Sequence, residues 1–532
     1  LSQRKTQTAQ YWEKLFSPND KDIEDIYQQI LESSQPIHID SIAVGLVKRH
    51  CDAEELESRS DLQEGQLYQP KGKYAVDERL IFPALDFAVG TVTSTRAGQH
   101  PDYGTFDVIE VKFGNGQPTK EFVANFEHNH PLNADDHSLA NLHGLLSPEE
   151  LYQAYKDSIY SKIKSTLDAN DDFVKFHDQY FLADLMADFQ EGLFNIADAA
   201  IDINNGPLSV DALIEQMGLV GEDQEITDVM RFSVSNRLAN DERFDDVGPT
   251  GQVLWYLQRI EPPEAHHPPR RLQQTGTQPY DPGLFDDDLL PLLAEIDDEA
   301  THPDDFGAID PNASEVTITL NYPHRRVGTL PLTPKTLPLF PISYYNPVLF
   351  DFIDGRTGDT FPGWTVLEHN YVFGLGQWCE KNKLPVGAYV TIKRTKNPLQ
   401  IIVDYQASRT QRDWVRMASV NNRRLTFQMN PAAHACKYDE LMIIGEGDTA
   451  QIDALWVRAE ERNLSIYEAL CQIFPELSKL NPQSTVHAKT LYSGVNVMRR
   501  AGPGIVFQEL VTHPCFIAMN HGYWTYDPSL RD

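Results

Sequence analysis

The sequence predicts a multi-domain α+β chain in which three-helix modules alternate with small β-rich domains. Three observations carry this. The chain has 532 residues, too many for one ordinary core and enough for three to five domains. The spacing of its apolar residues changes from three and four to two and back again along the chain. Two pairs of segments resemble each other, the mark of a supersecondary unit used more than once.

Residues 11–60 read as helical. Ile23, Ile26, Tyr27, Ile30 and Leu31 form one apolar stripe, Pro36 stops that helix, and Asp40 can cap a second one built on Ile42, Ala43, Leu46 and Val47. From Leu67 to Phe126 the period is two. Gly90, Gly104 and a Gly114-Asn115-Gly116 turn punctuate short strands, which predicts a small barrel. A His-rich loop follows, and Ser147-Pro148-Glu149-Glu150 opens the next helical stretch as a capping box. From Pro262 to about Glu315 the chain is Pro-rich and then acidic. The span 281–310 holds eleven Asp or Glu and no Lys or Arg, so it is expected to be a solvated linker. Residues 316–430 alternate as strands, interrupted by a short helix at GLGQWCEKN. Residues 440–528 return to helices and end in CFIAMNHGYWTYDP.

The repeats come in two kinds. QPIHIDSI at 35–42 matches GPLSVDAL at 206–213, and 234–257 matches 506–527: a helix ending in Leu, a polar break, Phe244 or Phe516, a Gly, then Trp255 or Trp524. The physical reading is a helix, a turn that sets up a second helix, a third helix and then a two-stranded wing, with Gly248 or Gly522 in the turn. This pattern resembles the HARE-HTH winged-helix family, seen also in the delta subunit of bacterial RNA polymerase and in restriction-associated proteins. The resemblance covers 190–262 and 452–528, with a partial copy at 20–60. It implies DNA-binding or transcription-linked modules and no enzyme activity. The copy at 190–262 departs from a plain DNA reader, because Asp241, Glu242, Asp245 and Asp246 set acid beside the expected groove face. The stretch from Leu349 to Pro398 is similar to the DNA-binding pseudobarrel of plant transcription factors and some restriction enzymes. The barrel at 67–126 resembles small domains of transcription elongation and repair-coupling proteins.

The fold class is therefore multi-domain α+β, with winged-helix-like helical modules alternating with small β-barrel domains. The expected division is a helical, partly winged-helix-like module at 1–65, a small β-barrel at 66–128 and a helical region ending in a winged-helix-like module at 129–262. After these come a linker at 263–315, a pseudobarrel-like domain at 316–432 and a C-terminal winged-helix-like module at 433–532.

Composition narrows the function classes. Hydrophobic residues at 41% and aromatics at 10% are those of a globular protein. No stretch approaches the roughly 18–20 apolar residues of a membrane span, and LSQRKTQTAQYWEKLF lacks the pattern of a signal peptide. Cys51, Cys379, Cys436, Cys471 and Cys515 show no CxxC spacing, so free thiols in the cytoplasm are expected, nucleoid-associated if the source is bacterial. No membrane partner, cofactor or metal is expected. The net charge of −33 repels phosphate, so DNA binding requires local basic patches.

Two patches qualify. Residues 390–430 hold Lys393, Arg394, Lys396, Arg409, Arg412, Arg416, Arg423 and Arg424 against Asp404 and Asp413, with Tyr405 and Trp414 interleaved. Arginine forks suit phosphates and guanine edges, and aromatics stack on bases. In STVHAKTLYSGVNVMRR, helical spacing is expected to turn His487, Lys489, Ser493, Asn496 and Arg500 toward solvent, with Arg499 beside them, as in a recognition helix. For both patches the plain alternative is a solvated face paired with acid elsewhere in the chain.

Weaker constellations are His128, His130, His137 and His143 with Glu127, Asp135 and Asp136, which match no zinc spacing, and Asp102, Glu110 and Lys112, which imitate a metal-dependent nuclease string with too short a gap. His266-His267 reads as linker. Phosphate-loop, nucleophile-elbow and zincin motifs are missing. The expected function is a non-catalytic DNA-binding or transcription-associated protein. The alternatives are an acidic protein-interaction scaffold (an RNA polymerase accessory factor or a subunit of a defence or mobile-element assembly) and a metal-dependent nuclease.

Overall fold

The computed structural model describes residues 4–60, 66–82, 85, 88–101, 103–113, 119–128, 130–133, 145–221, 224–273 and 279–531. The chain is mixed α+β and divides into two compact units. One comprises Leu1–Gln190 with Glu222–Arg237, the other Glu191–Gly221 with Leu238–Asp532. Among the described residues no helix is long and apolar enough to cross a membrane.

In the first unit, Asn19 and Asp22 close a capping box over the helix Asp20–Ser33, which buries Ile26 and Ile30. Ser34 ends it in the left-handed conformation at φ 50°. A two-residue strand, Ile37–His38, leads into the helix Ile39–Ser60. The chain then leaves for a five-stranded sheet and returns through Ser147, whose capping box with Glu150 forms as expected, into the helix Lys156–Asp168 and the hairpin Phe173–Phe176 and Gln179–Leu182. The second hairpin strand lies at the centre of a three-stranded sheet, flanked by Ile37–His38 and by the first hairpin strand.

The inserted sheet runs in the order Gln66–Leu67, Arg79–Phe82, Ala88–His100, Gly104–Phe113 and Lys120–Ala124. Its first and last strands do not pair, so the barrel expected here is an open, coiled sheet. Backbone bonds from Asn125 to Gly72 and from Phe126 to Pro70 draw its edges together. Tyr68, Leu80, Phe82, Ile109 and Val111 fill its core. The Gly114-Asn115-Gly116 turn lies outside the described residues.

The second unit repeats the order helix, two-residue strand, helix, helix, hairpin. Its C-terminal copy comprises Ile466–Ser478, Val486–His487, Ala488–Met498, Pro503–Thr512, Phe516–Ala518 and Tyr523–Tyr526, and again the second hairpin strand is central. A further copy has Gly192–Asn204, Leu208–Ser209, Val210–Gln216, Phe244–Asp246 and Leu254–Leu257 with the same strand order. The helix that lies between them in sequence, Asp228–Ala239, groups up to Arg237 with the first unit, where Phe232 meets Phe181 edge-on.

The copies agree residue by residue. Phe173, Phe244 and Phe516 open the hairpins and pair with Leu182, Leu257 and Tyr526. Two residues before those partners, the buried Tyr180, Trp255 and Trp524 pair with Ile37, Leu208 and Val486 of the short strands.

Between the two copies of the second unit lies a seven-stranded open sheet. Its order is Glu315–Thr319, Tyr389–Arg394, Gln400–Tyr405, Val348–Asp354, Thr360–Val366, Tyr371–Phe373 and Thr329–Pro331. The only parallel pair in it joins Val348–Asp354 to Gln400–Tyr405. The helix Gly376–Lys381 covers it with Trp378 and Cys379. Next comes a long hairpin, Ala407–Asn421 with Arg424–Cys436, in a separate sheet with Ile444–Glu446. The strand ending at Cys436 runs straight through the domain boundary expected at 432.

The acidic stretch corrects the linker expectation. Phe285, Leu289, Leu292, Leu293 and Ile296 enter the same core as Leu470, Phe474, Leu491, Phe507 and Trp524. An apolar face was interleaved with the acids, and its burial outweighs the charge count.

Burial separates the tryptophans. Trp255→Ala and Trp524→Ala should each cost about 3–5 kcal/mol, the usual range for emptying a large aromatic site. Trp414, which is 67% exposed, should cost less than about 0.5 kcal/mol when replaced by Ala. Denaturant unfolding of the three variants checks this contrast.

Candidate nucleic-acid interface

The hairpin at 407–436 is built on strict antiparallel register from Gln411↔His434 to Asn421↔Arg424. Asn422 and Arg423 turn it with φ 48° and 64°, the left-handed pair that suits a two-residue hairpin turn. Near the turn, Ala418, Val420, Leu425 and Phe427 anchor the hairpin on the C-terminal core. Farther back, Arg412 and Trp414 share the face of Ala418, and both are exposed. Arg409, Arg423 and Arg424 are exposed as well, as are Arg394 and Lys396 in the turn between the strands Tyr389–Arg394 and Gln400–Tyr405. Among the described residues none of these six cations has a side-chain ion pair or hydrogen bond. At about 3.4 Å per residue, the Arg412 end and the Arg423 tip stand about 35 Å apart.

Other members of the patch are engaged. Lys393 pairs with Glu315 at 2.9 Å, an exposed contact of little energetic weight. Arg416 is half-buried and donates to the Glu440 carbonyl, and burial lowers its pKa. Tyr405 lies under the Arg356 guanidinium at 4.0 Å, so it does not offer a free stacking face as expected.

The second patch is corrected outright. Every residue of Ala488–Met498 is buried, the polar row included. His487 caps its own helix by accepting from the Lys489 amide, and burial pushes its pKa down to about 4. Lys489 reaches Glu295 at 2.5 Å and Asp439 at 2.9 Å. Asn496 donates to the Tyr492 and Ala501 carbonyls, Ser493 is fully buried, and Arg499 is half-buried. Arg500 sits in the interior with both terminal nitrogens on Asp298, at 2.6 and 2.9 Å, and one of them on Glu299 at 2.7 Å. Tyr492 donates to Asp298, and His324 bridges Glu299 to Thr329 at 2.7 Å on each side. A helical period says which residues share a face. It cannot say that the acidic stretch 281–310 folds over that face.

No protein-family model, curated protein or solved structure matches this chain.

The remaining constellations sort by geometry. His128 bonds the Tyr103 carbonyl and His130 the Leu132 amide, while His137, His143, Asp135 and Asp136 lie outside the described residues. So does Asp102 of the nuclease string. Glu110 takes hydroxyl bonds from Thr93 and Ser94, and Lys112 is exposed. A group that sequence reasoning passed over is Asp245, Glu261 and His266, whose ligand-type atoms lie within 4.8 Å of one another. Its members stand in the sequence only as separate signals, Asp245 in an acidic wing and His266 in a His-His pair, because the two acids and the imidazole come from three separate local elements.

Burial alone would raise the Glu299 carboxyl, but Arg500 and then His324 hold it well below the usual carboxylate range. Its contribution to stability is therefore full above its ordinary pKa of 4.5 and is lost as pH falls below that value. Glu299→Gln should lower the unfolding midpoint at pH 7, and its deficit against the natural chain should shrink as the pH is taken below 4.5. Arg500→Leu leaves two carboxylates buried without their cation and should cost about 3–5 kcal/mol at pH 7, read by urea unfolding of the full chain.

Proposed function

We propose that this chain is a DNA-binding protein that acts by occupancy, not turnover, with the hairpin at 407–436 as its contact surface. The observation that carries the reading is the set of exposed, unpaired arginines on that hairpin, Arg409, Arg412, Arg423 and Arg424, together with exposed Trp414, in a molecule of net charge −33. A two-stranded antiparallel ribbon fits the major groove, and arginine recognises both phosphate and guanine. The span of about 35 Å between its two basic ends equals about one turn of duplex.

In this reading the three repeated units are winged-helix modules: helix, short strand, two helices and a wing, with a buried aromatic pinning the wing to the short strand. The order and pairing support that assignment. Their basic residues are largely spent within the chain, as with Lys156 on Asp40, Lys162 on the Trp12 and Glu13 carbonyls, and Lys489 and Arg500 on acids. The modules therefore serve as framework, and the ribbon makes contact.

A specific observation favours a second reading, an acidic scaffold for another protein such as RNA polymerase. The helix that would enter a groove in the C-terminal copy is packed inside the molecule. A pull-down after nuclease treatment separates the two readings, because recovery that survives the nuclease belongs to the scaffold.

The direct test is anisotropy of labelled DNA against the full chain at two salt concentrations. Arg423→Ala with Arg424→Ala, and Arg412→Ala alone, should weaken binding and lower the salt slope by about one unit for each phosphate contact removed. Trp414→Ala should weaken single-stranded DNA more than duplex, since base stacking is worth about 1–3 kcal/mol. Affinities and slopes unchanged in all three variants would remove the ribbon as a nucleic-acid surface.

A further inference from the structure

Asp245 sits in the hairpin strand Phe244–Asp246, Glu261 ends the turn Gln258–Ile260, and His266 closes the short helix Pro263–His266. All three belong to the second unit. His266 Nε2 is 2.5 Å from Glu261 Oε2 and 3.8 Å from Asp245 Oδ2. The Glu261 side chain is 1% exposed, and its other oxygen, Oε1, is buried with no hydrogen-bond partner. Among the described residues no Lys or Arg pairs with either acid. The cationic side chains nearest in sequence, Arg243 and Arg259, are held by Asp241 and by Asp198 and Asp202.

This arrangement is electrostatically incomplete. Burial first, and Asp245 second, push the Glu261 carboxyl up to about 7, and burial likewise raises Asp245. A divalent cation would offset both charges and take the orphaned oxygen. Bonds of about 2.0–2.1 Å in a tetrahedral site put ligand atoms roughly 3.3 Å apart. The observed separations of 2.5 and 3.8 Å bracket that value. One imidazole with two carboxylates is a donor set for zinc and its first-row neighbours. Calcium calls for six to eight oxygens, and magnesium for oxygen and water.

We propose that Asp245, Glu261 and His266 form a binding site for one divalent transition-metal ion of the zinc class. Three protein ligands leave a fourth position for water, and His266, 31% exposed, gives the ion its way in from solvent. The site stands independently of the nucleic-acid reading.

The test uses the full chain, stripped with chelator and titrated with zinc by calorimetry and with cobalt by visible absorption. Glu261→Gln and His266→Ala are compared with the natural chain, and His128→Ala with His130→Ala controls for the other histidines. The natural chain and the His128/His130 variant should take up one more equivalent than Glu261→Gln or His266→Ala. The affinity loss in those two variants should exceed the roughly 10–100-fold that second-shell changes cost. Bound cobalt should show d–d bands that both lack. Metal-free Glu261→Gln, which keeps the shape and removes the charge, should melt no lower than the natural chain, so its loss of metal is not a loss of fold. No zinc uptake by the natural chain, or equal uptake by Glu261→Gln and His266→Ala, would overturn the site and leave a pair of acids sharing a proton.

Discussion

The buried Arg500 guanidinium is the constraint around which the second unit is organised. It comes from the end of the helix Ala488–Met498, its acids come from about 200 residues earlier, and His324, from a third segment, holds the far side of Glu299. None of these groups can leave without stranding another in a medium that does not solvate charge. The segment 285–296 accordingly lies on the C-terminal core and adds its leucines there. A chain that looks by composition like linker becomes a wall of the domain because a few of its acids are counter-ions for that domain's cations.

The same accounting separates the two basic patches. Both are locally positive in sequence, and helical or strand spacing places each on a face. One face is covered by the chain's own carboxylates and the other is not. Lys489 and Arg500 are consumed inside, while Arg412, Arg423 and Arg424 remain in water at the edge of a hairpin. Along this ribbon four exposed arginines, Arg409, Arg412, Arg423 and Arg424, stand without an ion pair among the described residues of a strongly acidic molecule.

Much of the architecture was legible in the sequence, for identifiable reasons. The capping box at Ser147, the helix around Trp378 and the aligned Phe and Trp of two hairpins are local signals, and each forms where expected. The third copy was hidden. Its opening helices were seen at 20–60, but its hairpin, Phe173 to Leu182, follows more than a hundred residues later with Tyr180 in place of Trp. A period search finds repeats at fixed spacing, and an insertion destroys the spacing without disturbing the fold. The short strands were similarly concealed, since two residues such as Val486-His487 carry no period at all. Burial of the helix at 488–498 and the meeting of Asp245, Glu261 and His266 were beyond reach, because each depends on segments brought together only by tertiary packing.

That insertion shapes how the chain must assemble. In the C-terminal copy, the short strand at Val486 finds its partner at Trp524 within about forty residues. In the first copy, Ile37 must find Tyr180 across a five-stranded sheet that has its own core. Closing so long a loop is entropically costly, and rates of folding fall as contacts become more distant along the chain. During synthesis the inserted sheet emerges whole before the helix and hairpin that complete its host. The helices at 20–60 therefore wait for residues 156–182, which bring the strand that Ile37 pairs with. The module at 466–526 is thus better placed to fold quickly than the one interrupted by the sheet.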